Sequence, residues 1–226
     1  MFQNRQQAGT LLAERLVDLL SEDADFSPQS TAVIALPRGG VPVAAEVALK
    51  LGCSIDVLVS KKIGAPDNPE LAIGAVSSDG VVILDRQLPW LFGNTARYLE
   101  AQQEQKERLI QETRALEDYW VKAAGMTRRT DVSGRLIVLV DDGVATGMTT
   151  RAALSTLRSR KASKIILATP VIPLDTHSRL RQECDLLVAL SIPWDFTAVG
   201  YYYRDFRQVE DAEVVEALKR VLAVRT

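Results

Sequence analysis

The stretch IVLVDDGVATGMTT, residues 137 to 150, is the most informative part of the sequence. Four apolar residues lead directly into Asp141 and Asp142, and a loop of small residues and threonines follows. A short apolar run that ends in such a loop predicts a buried strand and a turn. Two adjacent carboxylates at the end of a buried strand are unfavourable unless a cation or hydroxyl groups meet them. The stretch therefore predicts a strand whose end carries a site for a polar ligand.

Apolar runs and amphipathic segments alternate on both sides of this stretch. The pattern predicts strands over 31–37, 54–60, 71–76, 80–85, 135–142, 164–172 and 185–192, helices over 5–20, 41–51, 94–124, 147–160, 175–183 and 209–224, and a polar loop over 61–70. Apolar strands that alternate with helices predict an α/β fold with a parallel central sheet and helices on both faces. We expect one domain over 1–226, with its core over about 31–207.

Composition excludes several classes of protein. The chain of 226 residues has a net charge of −2 and a pI near 5.6, which argues against a nucleic-acid surface. It has no apolar run of about 18 residues, so we expect no membrane span. Its start lacks the layout of a signal peptide, so we expect a cytoplasmic protein. One histidine and two cysteines are too few for a His/Cys metal site.

The loop over 143–149 has the composition of an anion-binding site. Small residues that lead into a helix present backbone N–H groups at the positive end of the helix dipole. Thr146 and Thr149 add hydroxyl donors, and the Gly-Lys-Ser/Thr ending of a Walker loop is missing. Because carboxylates accept hydrogen bonds from diols, Asp141 and Asp142 suit a sugar attached to the bound phosphate.

Residues 137–149 resemble the signature of type I phosphoribosyltransferases, and the closest likeness is to a bacterial branch whose substrate is undefined. The resemblance implies that Asp141 and Asp142 hold the 2′- and 3′-hydroxyls of phosphoribosyl pyrophosphate (PRPP) and that Mg²⁺ takes part. It also implies that the 5′-phosphate is held by Gly143, Val144, Ala145, Thr146, Gly147, Met148 and Thr149.

Two further loops resemble the same family. In LPRGGVP, residues 36–42, Arg38 and Gly39 match the pyrophosphate loop, although a tight turn with a surface arginine is the alternative. In SKKIGAPDNPELAIGAV, residues 60–76, Lys61 and Lys62 match the basic pair that precedes the mobile catalytic loop. Cations there would neutralise departing pyrophosphate, and two solvated lysines are the alternative.

The segment IPWDFTAVGYYYRDFRQV, residues 192–209, resembles the hood that covers the base in 6-oxopurine enzymes, and we call it the C-terminal hood. The resemblance implies that Trp194 or Phe196 stacks on the base and that Asp205 helps to hold Mg²⁺. The lysine that reads the 6-oxo group is absent from residues 166–172, so purine specificity does not follow. An aromatic-rich final strand that packs on the core is the alternative.

The helical insertion over 94–124 is a feature of the bacterial branch and suits packing or dimerisation, so we expect a homodimer. The function that these motifs favour is Mg²⁺-dependent transfer of a 5-phosphoribosyl group from PRPP to a nucleobase-like acceptor, with release of pyrophosphate. A regulatory protein that senses PRPP or nucleotides is the alternative, and a hydrolase or phosphorylase of a phosphoribosyl compound is a third possibility.

Overall fold

The fold is organised around a five-stranded parallel sheet in a computed structural model that describes residues 1–65, 68–84, 95–127 and 129–224. The strands are β1 (Thr31–Ala35), β2 (Ser54–Val57), β6 (Leu136–Val140), β7 (Lys164–Val171) and β8 (Leu186–Ser191), in the order β2-β1-β6-β7-β8. The flanking helices are α1 (Arg5–Leu20), α2 (Gly40–Leu51), α4 (Met148–Ser159), α5 (Leu174–Leu180) and α6 (Asp211–Ala223). The predicted α/β fold with helices on both faces is confirmed.

Alternating side chains of β6 belong to two different cores. Leu136, Val138 and Val140 pack in the cluster that contains α1, α2 and α6, whereas Ile137 and Leu139 pack in the cluster that contains α4 and α5. Successive side chains of a strand point to opposite faces of the sheet, and both faces are covered here. This explains why β6 is apolar at every position and is buried throughout.

A second, antiparallel sheet is formed by β3 (Ser60–Ala65), β4 (Asn68–Ser77) and β5 (Val82–Leu84). The long helix α3 (Thr95–Ala123) packs on this sheet through Leu109, which lies with Ile63 and Ile73 in one buried cluster. Near its end, α3 also inserts Trp120 into the main core. The expected helical insertion is therefore present, although residue 94 lies outside the described residues.

The prediction of a polar loop over 61–70 is wrong. Residues 61–65 form β3, residues 68–70 belong to β4, and residues 66 and 67 lie outside the described part of the chain. The polar run becomes a strand because α3 supplies tertiary contacts: the side-chain amide of Gln105 accepts from Gly64 N–H at 3.2 Å and donates to Gly64 C=O at 3.1 Å. Local composition could not indicate this partner, which is far away in sequence.

The alternative of an aromatic final strand in the C-terminal hood is also wrong. Residues 199–202 form a short 3₁₀ helix, and the ladder contact within the hood is a single bridge between Phe2 and Tyr203. In the described part of the chain, no helix combines the length and apolar character that crossing a membrane requires.

Glu117 of α3 joins the two sheets. Its buried carboxylate accepts hydrogen bonds from Val59 N–H at 2.6 Å and from the Ser78 hydroxyl at 2.7 Å, and it forms an ion pair with Arg129. Burial raises the pKa of Glu117, although Arg129 and the two hydrogen bonds act in the opposite direction. Each partner comes from a different part of the chain, so this carboxylate fixes the antiparallel sheet and α3 to the end of β2.

We expect Glu117→Ala to lower the free energy of unfolding by about 3–5 kcal/mol, because it removes one acid partner of Arg129 and leaves the buried Val59 N–H without its acceptor. Urea denaturation at neutral pH measures this loss. Asp118→Ala, a change at the exposed neighbouring position, is the matched control and should alter stability by less than about 0.5 kcal/mol. Equal effects of the two substitutions would contradict the role given to Glu117.

Candidate active site

The loops that follow β1 and β6 meet at the carboxyl edge of the main sheet, where ligands of open parallel sheets bind. The two strands are neighbours in parallel register, and Leu36 N–H donates to Val140 C=O at 2.8 Å. Gly39 lies so close to Asp142 that a Cβ at this position would overlap the carboxylate. The two motifs that the sequence singled out therefore form one site, with the glycine loop packed directly on the second acid.

Asp142 has a cationic partner that the sequence analysis did not identify. Arg5 Nε, from the first turn of α1, donates to Asp142 Oδ2 at 2.7 Å, and the two side chains are only 11% and 13% exposed. The Tyr203 hydroxyl of the C-terminal hood donates to the backbone C=O of Asp142 at 2.6 Å. Asp142 is thus held from two sides by segments at opposite ends of the chain.

Asp141 has no such compensation. Burial raises its pKa well above the ordinary value, and repulsion from Asp142 adds to the increase. The Asp142 N–H donates to Asp141 Oδ1 at 2.9 Å, and Arg5 acts on Asp141 at longer range; both favour the charged form but do not outweigh burial. Adjacent acids therefore have different surroundings: Asp142 is in an ion pair, whereas Asp141 favours its protonated form unless a hydrogen-bond donor stabilises its charge.

The loop after the acids has the features of an anion cradle. Gly147 adopts a left-handed conformation with φ of 77° immediately before α4, which favours glycine at this position. Within the described chain, no protein acceptor takes a hydrogen bond from the N–H groups of Ala145, Thr146 or Gly147. Thr146 is exposed, and the turn is supported by the Thr176 hydroxyl, which donates to Ala145 C=O at 2.8 Å. The unengaged N–H groups lie at the positive end of α4, where an anion is stabilised.

The predicted basic residues lie in different settings. Arg38 follows a cis Pro37–Arg38 peptide bond and is half-exposed, with its guanidinium 3.5 Å from Asp211 at the start of α6. Lys61 forms an ion pair with Glu112 of α3 at 2.7 Å, and this contact lowers the pKa of Glu112. Lys62 is exposed and, as the next residue of β3, points to the opposite sheet face.

The predicted base-binding and metal residues are also separated. Trp194 is 85% exposed, and Phe196 is stacked on Tyr202 with ring centroids 5.9 Å apart. Asp205 lines a cavity of about 240 Å³ whose walls include Arg5 but neither acid of the pair. Among the described residues, no group of three or more His, Cys, Asp or Glu side chains could hold a metal ion.

Arg5 and Tyr203 are the contacts that motif reading misses. Arg5 is 137 positions from its partner Asp142, so no local pattern joins them. The one available signal is the need for a cation beside two adjacent carboxylates. An arginine in the first turn of a predicted amphipathic helix meets that need, but the sequence contains many other arginines.

Comparison with known proteins finds relatives over nearly the whole chain. Residues 4–205 match the family model of the phosphoribosyl transferase domain. Proteins from two strains of Mycobacterium tuberculosis, each named “Putative phosphoribosyl transferase”, are 40% identical over 220 residues, which is 97% of this chain. The match covers 47% of each relative, so the chain spans about half their length. The crystal structure of TT1426 from Thermus thermophilus is 37% identical and has a TM-score of 0.76, covering 97% of this chain and 98% of that one.

We expect substitutions of the two acids to change stability in opposite directions. Asp142→Asn should destabilise the protein by about 1.5–3 kcal/mol, because Arg5 loses a charged partner. Asp141→Asn should stabilise it at pH 8 by roughly 1–3 kcal/mol, because it removes a half-buried charge that is poorly compensated. The measurement is urea denaturation of both variants and the wild type between pH 4 and pH 8.

The pH dependence provides the internal control. The folded pKa of Asp141 is raised above its ordinary value of 3.8, so the folded state holds the proton more tightly than the unfolded state. The wild type consequently loses stability as the pH rises through that interval. The advantage of Asp141→Asn should shrink towards pH 4, and a pH-independent difference, or the same sign for both variants, would contradict these environments.

Proposed function

The chain belongs to the phosphoribosyltransferase family, and we propose that it transfers a 5-phosphoribosyl group from PRPP to a nitrogenous base or similar acceptor. The observation that carries the proposal is the cradle over 143–149, which follows the acid pair in which Asp141 has a raised pKa. A ligand that satisfies both must carry a phosphate and hydroxyl groups on one small framework. A ribose 5-phosphate unit has that composition.

In this proposal the 5′-phosphate accepts hydrogen bonds from the cradle N–H groups and from the Thr146 and Thr149 hydroxyls. The ribose 2′- and 3′-hydroxyls donate to the acid pair. A donor that reaches Asp141 stabilises its ionised form, which burial alone disfavours. Binding of the sugar thereby offsets the unfavourable burial of this carboxyl.

Transfer breaks the bond between C1′ and the pyrophosphate oxygen and forms a bond from C1′ to the acceptor nitrogen, through a transition state with oxocarbenium character. No covalent protein nucleophile is needed. The protein contributes by positioning the reactants and by stabilising negative charge on the departing pyrophosphate. Arg38, with Gly39 beside it, is the proposed pyrophosphate contact, and Lys61 and Lys62 are proposed to supply further positive charge.

The residues present are compatible with Mg²⁺ that arrives bound to PRPP. Magnesium keeps several waters and is usually bound through one or two carboxylates together with substrate phosphates, so a dedicated cluster of acids is not required. Asp205 is the proposed carboxylate, and the bound ion would add positive charge at the pyrophosphate. Trp194 and Phe196 are proposed to contact the acceptor, and exposure of Trp194 leaves its ring available for stacking.

The decisive experiment incubates the protein with PRPP, Mg²⁺ and a panel of nucleobases and measures pyrophosphate release. We expect release that depends on both PRPP and one class of acceptor. Asp141→Asn should abolish most of this activity while leaving the protein folded, because the ribose hydroxyls lose a charged acceptor. Tight binding of PRPP without turnover on any acceptor would favour the sensor alternative, and failure to bind PRPP would reject both.

Arg38→Ala separates the pyrophosphate contact from general phosphate binding. We expect it to weaken the binding of PRPP by about tenfold to a hundredfold, which corresponds to the loss of a charge-assisted hydrogen bond. Turnover should fall further than affinity, because negative charge on the leaving group grows in the transition state. Ribose 5-phosphate, which lacks pyrophosphate, is the control ligand, and titration calorimetry compares both. Equal weakening of the two ligands would instead assign Arg38 to the 5′-phosphate.

A further inference from the structure

One guanidinium connects both ends of the chain to the acid pair. Besides its ion pair with Asp142, Arg5 donates through Nη1 to Arg207 C=O at 2.8 Å, and its Cζ lies 4.0 Å from the centre of the Phe206 ring. A planar guanidinium can donate at its edge and stack on an aromatic face simultaneously. Arg5 therefore bonds to the edge of the main sheet and to the C-terminal hood with the same group.

Residues 2–5, which we call the N-terminal segment, are also joined to the hood by the backbone. Phe2 N–H donates to Tyr202 C=O at 2.7 Å, Arg204 N–H donates to Phe2 C=O at 2.8 Å, and Asp205 N–H donates to Gln3 C=O at 3.0 Å. The rings of Phe2 and Tyr203 lie 5.3 Å apart. The N-terminal segment and the hood consequently form one unit that covers the end of β6.

This unit reaches the proposed ligand-binding residues at several points. Val199 packs against Gly143, the first residue of the cradle, and the Tyr203 hydroxyl binds the Asp142 backbone. Phe196 is stacked on Tyr202, so the position of a proposed acceptor contact depends on the hood. A shift of the hood would move the acceptor side of the site relative to the cradle.

We propose that Arg5 is a positioning residue that fastens the N-terminal segment and the hood to Asp142 and so holds the acid pair beside the cradle. The inference rests on the proposed function for the role of the acid pair. The Asp142 carboxylate is committed to Arg5 on one side and packed against Gly39 on another, with little exposed surface. Arg5 thereby fixes Asp142 beside Asp141 and holds the hood at the end of β6.

The charge of Arg5 has a second effect, on Asp141. The titratable and charged groups that face Asp141 are Asp142 on the same strand end, Arg5 from α1 and the Tyr203 hydroxyl from the hood. The glycine loop faces it with Gly40 and β7 with the Ala168 carbonyl, and neither is charged. Arg5 is thus the cation that opposes the raised pKa of Asp141, so its removal should raise that pKa further.

The first test is hydrogen exchange in the protein without ligand, comparing the wild type, Arg5→Ala and Arg5→Lys. We expect protection of the Arg204 and Asp205 amides, which bond to the N-terminal segment, to fall by roughly tenfold or more in Arg5→Ala. Arg5→Lys should lose part of this protection, because an ammonium cannot stack and donate in a planar fork. Arg15→Ala, at an exposed arginine of the same helix, is the matched control.

The second test measures binding of ribose 5-phosphate as a function of pH in the same variants. Binding is lost at low pH, and this acid limb of the binding curve should move to higher pH in Arg5→Ala. In Arg5→Lys, which keeps the charge, it should stay near the wild type. Titration of the ligand phosphate, with a pKa of about 6, is the same in the wild type and both variants, so it cancels in the comparison. A residue that served only to stabilise the fold would not shift this limb.

Unchanged exchange of the Arg204 and Asp205 amides in Arg5→Ala would overturn the fastening role, and an unshifted acid limb would overturn the effect of the Arg5 charge on the acid pair. If the wild type binds neither ribose 5-phosphate nor PRPP, the proposed function fails. The exchange experiment uses no ligand, so it still decides whether Arg5 fastens the hood.

Discussion

The rest of the site depends on how two neighbouring carboxylates are accommodated at the end of a buried strand. Side chains of β6 alternate between the two faces of the sheet, and the acids continue that alternation into different surroundings. Asp142 lies beside Arg5 of α1, which belongs to the same face as Val138 and Val140. A direct neighbour of the same charge is tolerated because one member of the pair is neutralised by a cation and the other keeps a raised pKa.

Much of the fold could be predicted because its signals are local. A strand such as β6 is apolar at every position since both faces are covered, and the left-handed Gly147 ends the following loop where a helix begins. The polar run over 61–65 predicts a loop but forms a strand, because its structure depends on contacts that are distant in sequence. Its strand exists because α3 and β4 pack against it, and Gln105 satisfies the backbone of Gly64 from 41 positions away. Local patterns do not encode such partners.

For the candidate site, too, the sequence predicts the residues of local motifs but not their long-range partners. Motif spacing identifies the acids, the cradle and the glycine loop, and the fold brings these together because β1 and β6 are neighbours. The sequence could not identify Arg5, since its contact with Asp142 depends on how α1 packs across α2 and on a hood from the other end of the chain. Nor could it reveal that Arg38 and Lys61 each face an acid, Asp211 and Glu112.

The ion pairs of Arg38 and Arg5 differ in how easily each arginine could turn to a negatively charged ligand. The contact between Arg38 and Asp211 is long and half-exposed, and exposed pairs contribute little net stability, so an incoming pyrophosphate could replace the acid at small cost. The contact between Arg5 and Asp142 is short and largely buried, and leaving either partner alone there is strongly unfavourable. The weak pair suits a residue that must exchange a protein partner for a ligand, whereas the strong pair suits one that must stay in place. The difference in burial therefore supports the proposal that Arg38 contacts the ligand and that Arg5 is a fastener.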